Sequence, residues 1–332
     1  MTITKVEMKA VLAKMMEQYR LVAPVFNTVL DFLEVRNIED IVMDDRIPYK
    51  SPKEFFFPRC EELFRFHEGE LADSIQNSEV GTVIFGAKPC DLEALGIMAK
   101  IFSQGKYADP YVAAHFEKTL IIGLGCQQKK AGCFCERLNI DMNYSDKCDL
   151  FLFEQGGQGE QANDYIVTHI SEKGFEKLGA YIPNISPCLS AKKLPTQESK
   201  GFGLPKDDLK AFETVGWQAI AETCQACALC TFICPSCHCF DFKDVEDGGG
   251  KACRYRIWDS CMFAKFTLHA SGHNPRATKT ERYRQRLLHK YVYIPQNIGE
   301  IACTGCGRCT RSCPAGMDIM KIVEGIAASL AH

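Results

Sequence analysis

The hydrophobic pattern of the first half alternates between helical and strand periods. Over residues 5–20, Val6, Met8, Val11, Leu12, Met15 and Met16 recur at helical spacing, which predicts an amphipathic helix packed on a core. Residues 37–66 carry short strand-like pieces. Within them Ser51-Pro52-Lys53-Glu54-Phe55-Phe56-Phe57-Pro58 is aromatic and bounded by prolines, and is expected to pack onto the domain that follows. Thr82-Val83-Ile84-Phe85-Gly86 and Leu120-Ile121-Ile122-Gly123-Leu124 are short continuous apolar runs, the pattern of strands buried on both faces. Between them Leu92, Leu95, Met98, Ile101 and Phe102 form a helical stripe. Strand, helix, strand predicts a βαβ unit with parallel pairing. Residues 149–154 and 164–170 are further strand candidates, followed by a helix over about 171–178. Residues 186–206 are rich in Ser, Pro, Lys and Gly and read as a linker. A last helix is expected over about 206–222, with Leu209, Phe212, Trp217 and Ile220 as its apolar members. The pattern divides the chain into an α/β domain (1–185), a linker (186–206) and a second, mostly α domain (207–332).

Composition narrows the class. The chain has 332 residues, 46% of them apolar and 24% charged, with a net charge of −3. That length and apolar share suit two domains with sizeable cores. The balance of charge argues against a general nucleic-acid or membrane-surface binder. The first twenty residues spread Lys5, Lys9 and Lys14 along a helical pattern without an apolar core of a signal. No apolar run approaches the roughly 18 residues that span a bilayer. A cytoplasmic protein is expected.

Nineteen cysteines are many for such a chain. An odd number, in a chain of this size without a secretion signal, reads as metal ligation rather than a disulfide framework. Cys224, Cys227, Cys230 and Cys234 precede Pro235 with the spacing C-x2-C-x2-C-x3-C-P. Cys303, Cys306, Cys309 and Cys313 repeat it before Pro314. Two such runs are the pattern of a ferredoxin-like module with two [4Fe–4S] clusters, in which the fourth cysteine of each run serves the other cluster. Cluster I is therefore expected on Cys224, Cys227, Cys230 and Cys313, and cluster II on Cys303, Cys306, Cys309 and Cys234. Pro235 and Pro314 turn the chain away after the fourth ligand, and Gly305 and Gly307 allow close backbone approach. Structural zinc uses paired C-x2-C units instead of three consecutive ligands and a C-P. The C-x3-C-x2-C spacing of Cys230, Cys234 and Cys237, which radical S-adenosylmethionine enzymes also show, lies inside a complete ferredoxin run, with no eightfold βα repeat after it.

Other thiols are less diagnostic. Cys90 and Cys126 fall just past the carboxyl ends of the two βαβ strands, the edge at which open parallel sheets bind ligands. Cys133 and Cys135 follow within one loop. Two readings stay open there: a third [4Fe–4S] cluster on Cys90, Cys126, Cys133 and Cys135, or ordinary buried thiols. Cys60, Cys148 and Cys188 have no partners at useful spacing and read as packing residues. A long insertion separates Cys234 from Cys303. It carries Cys237, Cys239, Cys253 and Cys261, read as shielding or hydrogen-bonding residues in preference to a further metal site. It also carries Arg276, Lys279, Arg282, Arg284, Arg286, His289 and Lys290. Arg282, Arg286 and Lys290 share one helical face. That face is expected to be solvated or to offset the anionic clusters, with docking of an acidic partner as the functional alternative.

Together these residues resemble the iron–sulfur subunits of soluble multi-subunit oxidoreductases, the group that includes the beta subunit of NAD(P)-linked [NiFe] hydrogenases (sulfhydrogenases) and the corresponding iron–sulfur subunit of anaerobic sulfite reductase. The resemblance is carried by Phe85-Gly86 to Pro89-Cys90-Asp91-Leu92, by Asp109-Pro110-Tyr111, and by Cys126 to Cys133-Phe134-Cys135. It continues through Cys234-Pro235-Ser236-Cys237-His238-Cys239-Phe240-Asp241, Trp258-Asp259-Ser260-Cys261, the Arg282 to Lys290 segment and Cys303-Thr304-Gly305-Cys306-Gly307-Arg308-Cys309. It implies an electron conduit without substrate chemistry of its own. Such a conduit would lie between a flavin- and NAD(P)-binding reductase subunit and a catalytic subunit, in a cytoplasmic anaerobic complex of hydrogenase, sulfite reductase or heterodisulfide-reductase type. It also favours the third cluster. After Cys135 the chain departs from the group, with Glu136-Arg137-Leu138-Asn139 where small and glycine-rich residues are usual. The alternative is an iron–sulfur or flavin-dependent oxidoreductase with its own active site. It would need a dinucleotide fingerprint or a coordinately open iron, and Gly123-Leu124-Gly125 is only a fragment of such a fingerprint, with Gln128 at the third glycine. The glycines of 156–159 precede no clear helix.

Overall fold

The structure, a computed structural model, describes residues 1–72, 80–154, 164–183, 185, 204 and 208–330. Cys188, the glycines of 156–159 and nearly all of the expected linker lie outside the described residues. The strands are β1 (Thr2–Thr4), β2 (Arg20–Phe26), β3 (Leu30–Glu34), β4 (Cys60–His67), β5 (Glu70–Ala72), β6 (Thr82–Ala87), β7 (Thr119–Leu124), β8 (Leu150–Glu154), β9 (Asp164–Ile170), β10 (Phe240–Gly248) and β11 (Lys251–Trp258). The helices of the first half are α1 (Lys5–Met15), α2 (Pro89–Ser103), α3 (Pro110–Lys118) and α4 (Glu172–Leu178). Those of the second half are α5 (Asp208–Thr214), α6 (Trp217–Ala221), α7 (Leu229–Phe232), α8 (Lys279–Leu288), α9 (Ile294–Ile298), α10 (Arg308–Arg311) and α11 (Ile319–Leu330).

Seven strands form one sheet in the order β1-β9-β8-β7-β6-β2-β3. Its centre, β2, β6, β7 and β8, is parallel, and its margins are antiparallel. The apolar runs of β6 and β7 are buried almost throughout because helices cover both faces. On one face α1 contributes Met8, Val11, Leu12 and Met15. A capping box between Thr4 and Glu7 starts that helix. On the other face α2 presents Leu92, Leu95 and Met98, with Phe56 and Phe57 beside them. Pro89 at the first turn of α2 has no N–H to leave unbonded and sets the helical φ. Cys90 is thereby placed on that first turn, at the carboxyl edge of the sheet.

The long insertion is where the fold departs most from expectation. It contains a β-hairpin, β10 and β11, in addition to helices. This hairpin does not stand alone: β11 pairs antiparallel with β4, giving a second sheet in the order β10-β11-β4-β5. Two strands of that sheet come from the first seventy-odd residues and two from the insertion. Phe57 stacks on Trp258 at 6.2 Å and lies 5.3 Å from Phe102, joining the aromatic stretch to the hairpin. The helix expected over 206–222 is two short helices, α5 and α6, broken at Gly216, whose backbone leaves the helical region. Between α8 and α9 the chain widens into a π turn over His289–Tyr293. Pro295 lacks the N–H that a continuous helix would donate to the Tyr291 carbonyl. Among the described residues no helix is long and apolar enough to cross a membrane.

Candidate metal centre

The two cysteine runs share one backbone design. In the first run Ala226 and Ala228 have positive φ, 53° and 65°, and in the second Gly305 and Gly307 occupy the corresponding places at 61° and 69°. Each second left-handed residue caps a one-turn helix, α7 or α10. The amides are thus turned toward sulfur, and Ala226 N–H donates to Cys224 Sγ at 3.4 Å. A β-carbon in the left-handed region costs about 1–2 kcal/mol, yet the first run carries alanine. The surroundings explain the difference. A Cβ on Gly305 would stand 2.6 Å from the amide nitrogen of Cys135, and one on Gly307 would collide with the Gly132 carbonyl. The second run is pressed against the backbone of the loop after β7, whereas Ala228 of the first run packs its methyl in the apolar core.

Cys224, Cys227, Cys230 and Cys313, expected to hold one cluster, all line a single cavity, together with Cys309 and Arg286. Cys227 is exposed, so this cavity lies near the surface. Burial, opposed by the Arg286 charge and helped by Cys234, Cys306 and Cys303, pushes the Cys309 thiol up to about 12; these four cysteines are the ones expected of the second cluster. The third set also comes together. Cys126 and Cys133 are neighbours, Cys135 faces both, and Cys90 faces Cys126 and Cys306. All four are buried. Burial first, then the neighbouring charges, pushes Cys135 up to about 12 and Cys90 well above the ordinary thiol range. The sets abut: Cys133 Sγ donates to the Cys306 carbonyl at 3.3 Å, and Phe134 N–H to the Gly305 carbonyl at 2.8 Å.

Several buried cations face these thiols. Lys290 Nζ lies 3.3 Å from Cys234 Sγ and 2.9 Å from Ser236 Oγ, and also donates to the Ala302 carbonyl. Burial works against its charge, but Cys234, Cys237 and Cys303 outweigh it and raise its pKa. Arg286 is likewise buried, Nη2 donates to the Cys230 carbonyl at 3.3 Å, and Cys230, Cys309 and Cys237 hold it charged against burial. Arg282, Arg286 and Lys290 are 8%, 4% and 4% exposed, which corrects both the solvated-face and the docking-surface expectations for this helix. The Cys237 thiol donates to the Cys234 sulfur and, with Lys290, holds Cys234 well below the usual thiol range despite burial. Lys53 reaches in from the aromatic stretch, donating to the carbonyls of Cys237 at 3.0 Å and Phe232 at 3.3 Å, 4.0 Å from the centre of the Trp258 ring. Burial pushes its pKa down. Arg308, between Cys306 and Cys309, forms a two-pronged ion pair with Asp91, next to Cys90; both are fully buried. Sequence reasoning missed Lys53 and this ion pair: the first hid in a stretch assigned to packing, and the second joins residues far apart in the chain.

The donor set fits iron–sulfur clusters. Among the described residues no three His, Cys, Asp or Glu side chains close tightly enough to hold a single ion; the thiols of the first set instead line a cavity, as ligands of a polynuclear group do. Two buried donors beside them lack acceptors, Arg286 Nε and Thr304 Oγ1. Sulfide or thiolate sulfur would satisfy both. Of the remaining cysteines, Cys148 is buried and donates to the Ser145 carbonyl at 3.7 Å, Cys60 is exposed on β4, and Cys253 lies on the hairpin.

The fold and the site define an electron-transport protein of the iron–sulfur class. Residues 223–317 match the family model of a 4Fe-4S dicluster domain, the segment that spans both runs and the insertion. Over nearly its whole length the chain resembles the beta subunit of sulfhydrogenase 2 from Pyrococcus furiosus, with 27% identity over 337 residues that cover 96% of this chain and 95% of the relative. No solved structure matches the chain.

Proposed function

We propose that the chain is the electron-transfer subunit of a hetero-oligomeric, cytoplasmic oxidoreductase complex. It would relay electrons between a flavin- and NAD(P)-binding reductase subunit and a catalytic subunit, as the similarity to a sulfhydrogenase beta subunit suggests. Cluster I is assigned to Cys224, Cys227, Cys230 and Cys313. Cluster II is assigned to Cys303, Cys306, Cys309 and Cys234, and a third [4Fe–4S] cluster to Cys90, Cys126, Cys133 and Cys135. The α/β domain of 1–185 and the dicluster domain of 207–332 would then each contribute to one continuous path.

The observation that carries this reading is the abutment of three thiol sets, one with an exposed cysteine at its rim and one beneath the carboxyl edge of the sheet. Each [4Fe–4S] cluster, once bound, takes up and gives back single electrons. The chain's own residues do the rest. The Lys290 ammonium and the Arg286 guanidinium offset thiolate charge in a buried setting. The Cys237 thiol and the Ala226 amide donate to ligand sulfurs, and Phe134 lies in the apolar cluster that borders Cys224, Cys230, Cys303 and Cys309.

Chemical analysis of anaerobically prepared protein tests the assignment. About twelve irons and as many sulfides per chain are expected. Cys133→Ser should remove about four of them and leave the remaining clusters visible by EPR. A wild-type content of about four irons would overturn the two-run assignment, and an iron content unchanged by Cys133→Ser would overturn the third site.

A further inference from the structure

Cys133 receives a hydrogen bond from a cation on the other side of the metal centre. Arg311, at the end of α10 in the second run, donates from Nη1 to the Ala131 carbonyl at 2.8 Å and to Cys133 Sγ at 3.5 Å. Its side chain crosses to the loop after β7 through a gap that Gly307 leaves: a Cβ there would stand 2.7 Å from Nη1. The four thiols of the third set are buried, whereas Arg311 is exposed. The guanidinium thus reaches a buried thiol from the solvent side. The surrounding charges single it out. Lys129 pairs with Glu136, Lys130 with Asp45 and Arg137 with Glu324, and Arg308, on the same helix as Arg311, pairs with Asp91. The bonds of Arg311 go to a carbonyl and a sulfur, and among the described residues no carboxylate pairs with it. A bound cluster sharpens the contact. Cys133 would ligate as a thiolate, without the proton that it donates to the Cys306 carbonyl at 3.3 Å; the Arg311 N–H is the donor that stays. A hydrogen bond from a charged donor is about twice as strong as a neutral one, and hydrogen bonds to the sulfurs are among the features that set a cluster's potential.

We infer that Arg311 is a positioning residue of the third site: it ties Cys133 to the second run, and its positive charge raises the potential at which the third cluster accepts an electron. The inference rests on the third-cluster assignment above. Arg311 stands two residues before Cys313, an expected ligand of the first cluster, and two after Cys309, an expected ligand of the second. The segment that supplies ligands to two clusters would thus also set the potential of the third.

The test is a redox titration of the full iron-loaded chain under anaerobic conditions, read by EPR, with Cys133→Ser marking the signal of the third cluster. Because Arg311 is exposed, Arg311→Gln should fold and hold the same iron as the parent. At a fixed poise the ratio of reduced to oxidised third cluster should fall about fivefold, the effect of one charge about 4 Å away at the dielectric of water. The ratios at the other two clusters should change less. Arg311→Lys, which keeps the charge, should recover most of the fall. An unchanged ratio in Arg311→Gln, or a fall that Arg311→Lys does not recover, would overturn the role. Loss of third-site iron from both variants would also overturn it, leaving a bond geometry without a charge effect. Loss from Arg311→Gln alone, with Arg311→Lys at the parent ratio, would support it. If Cys133→Ser changed neither iron content nor any EPR signal, the third cluster itself would fall and the role of Arg311 with it. That result is distinct from an intact third signal that ignores Arg311.

Discussion

At the scale of single residues, the buried cations are the feature that an electron carrier must explain. A charge a few ångströms from a thiolate, in an effective dielectric of about 20, shifts a one-electron couple by on the order of 100 mV. Lys290 approaches Cys234 Sγ at 3.3 Å, so Lys290→Gln, which keeps hydrogen-bonding capacity and removes the charge, should lower one cluster potential by roughly that amount. The check is a redox titration followed by EPR, with iron content as control; an unchanged potential would remove Lys290 from the tuning groups. The adjacent His289 supplies a separate test. Burial, followed by His238 and Lys290, holds its pKa down to about 4. A histidine lowered in the fold contributes stability above its unfolded pKa, and that contribution is lost as pH falls toward the folded value. Stability should therefore decline between about pH 6.5 and pH 4, by about 2–3 kcal/mol from this residue. His289→Gln should flatten that part of a pH–denaturant profile. None of these burials was visible in the chain itself. Charges at i, i+4 and i+8 mark a helical face, but the spacing says nothing about which way the face points.

At the scale of elements, the two cysteine runs show what spacing can and cannot convey. Their repeat was legible because the spacing is local and short-range, whereas the sharing of ligands between the two runs remains the proposal made above. Also legible were β6, β7 and α2, whose apolar periods place Cys90 and Cys126 at one sheet edge. The β10–β11 hairpin was not legible. Its strands are largely exposed at β10 and mix charged with aromatic residues, and its pairing partner β4 lies far away in sequence. The glycines of the second run were read as allowing close approach to a cluster; the structure adds that they admit the 126–135 loop. Gly307→Ala should therefore force that loop away from the run, because φ is 69° and a Cβ would meet the Gly132 carbonyl. The expected result is loss of iron from the proposed third site and a drop in stability of about 2 kcal/mol or more. The matching change in the first run, Ala228→Gly, relieves a left-handed alanine but gives up a buried methyl, and should leave iron content unchanged and stability within about 1 kcal/mol of the parent. Thermal melts with parallel iron assays on both variants give the comparison. Equal effects in the two runs would mean that the loop contact does not distinguish them.

At the scale of the whole molecule, the two halves are bound by contacts that neither half could satisfy alone. Strand β11 needs β4 as its neighbour, Phe57 needs Trp258, and the Arg308 guanidinium needs Asp91. The ion pair is the sharpest of these, since both partners are fully buried and each is adjacent to a cysteine of a different set. Removing one partner leaves an uncompensated charge in the interior, which typically costs about 3–5 kcal/mol; replacing both by apolar residues of similar size is often close to neutral. Asp91→Leu and Arg308→Met should each destabilise by that amount, and the double variant should recover most of the loss. Electron transfer separates this pair from an ordinary structural contact. Asp91 follows Cys90 on the first turn of α2, and Arg308 lies within the second run. The double variant should therefore fold while altering the magnetic coupling between the proposed second and third clusters in EPR. If the double variant were as unstable as the singles, the surrounding hydrogen bonds to the Pro48 and Lys50 carbonyls, and not the charge pair, would be what fixes Arg308. If it recovered stability with coupling unchanged, the pair would hold the halves together without setting the distance between their metal sites.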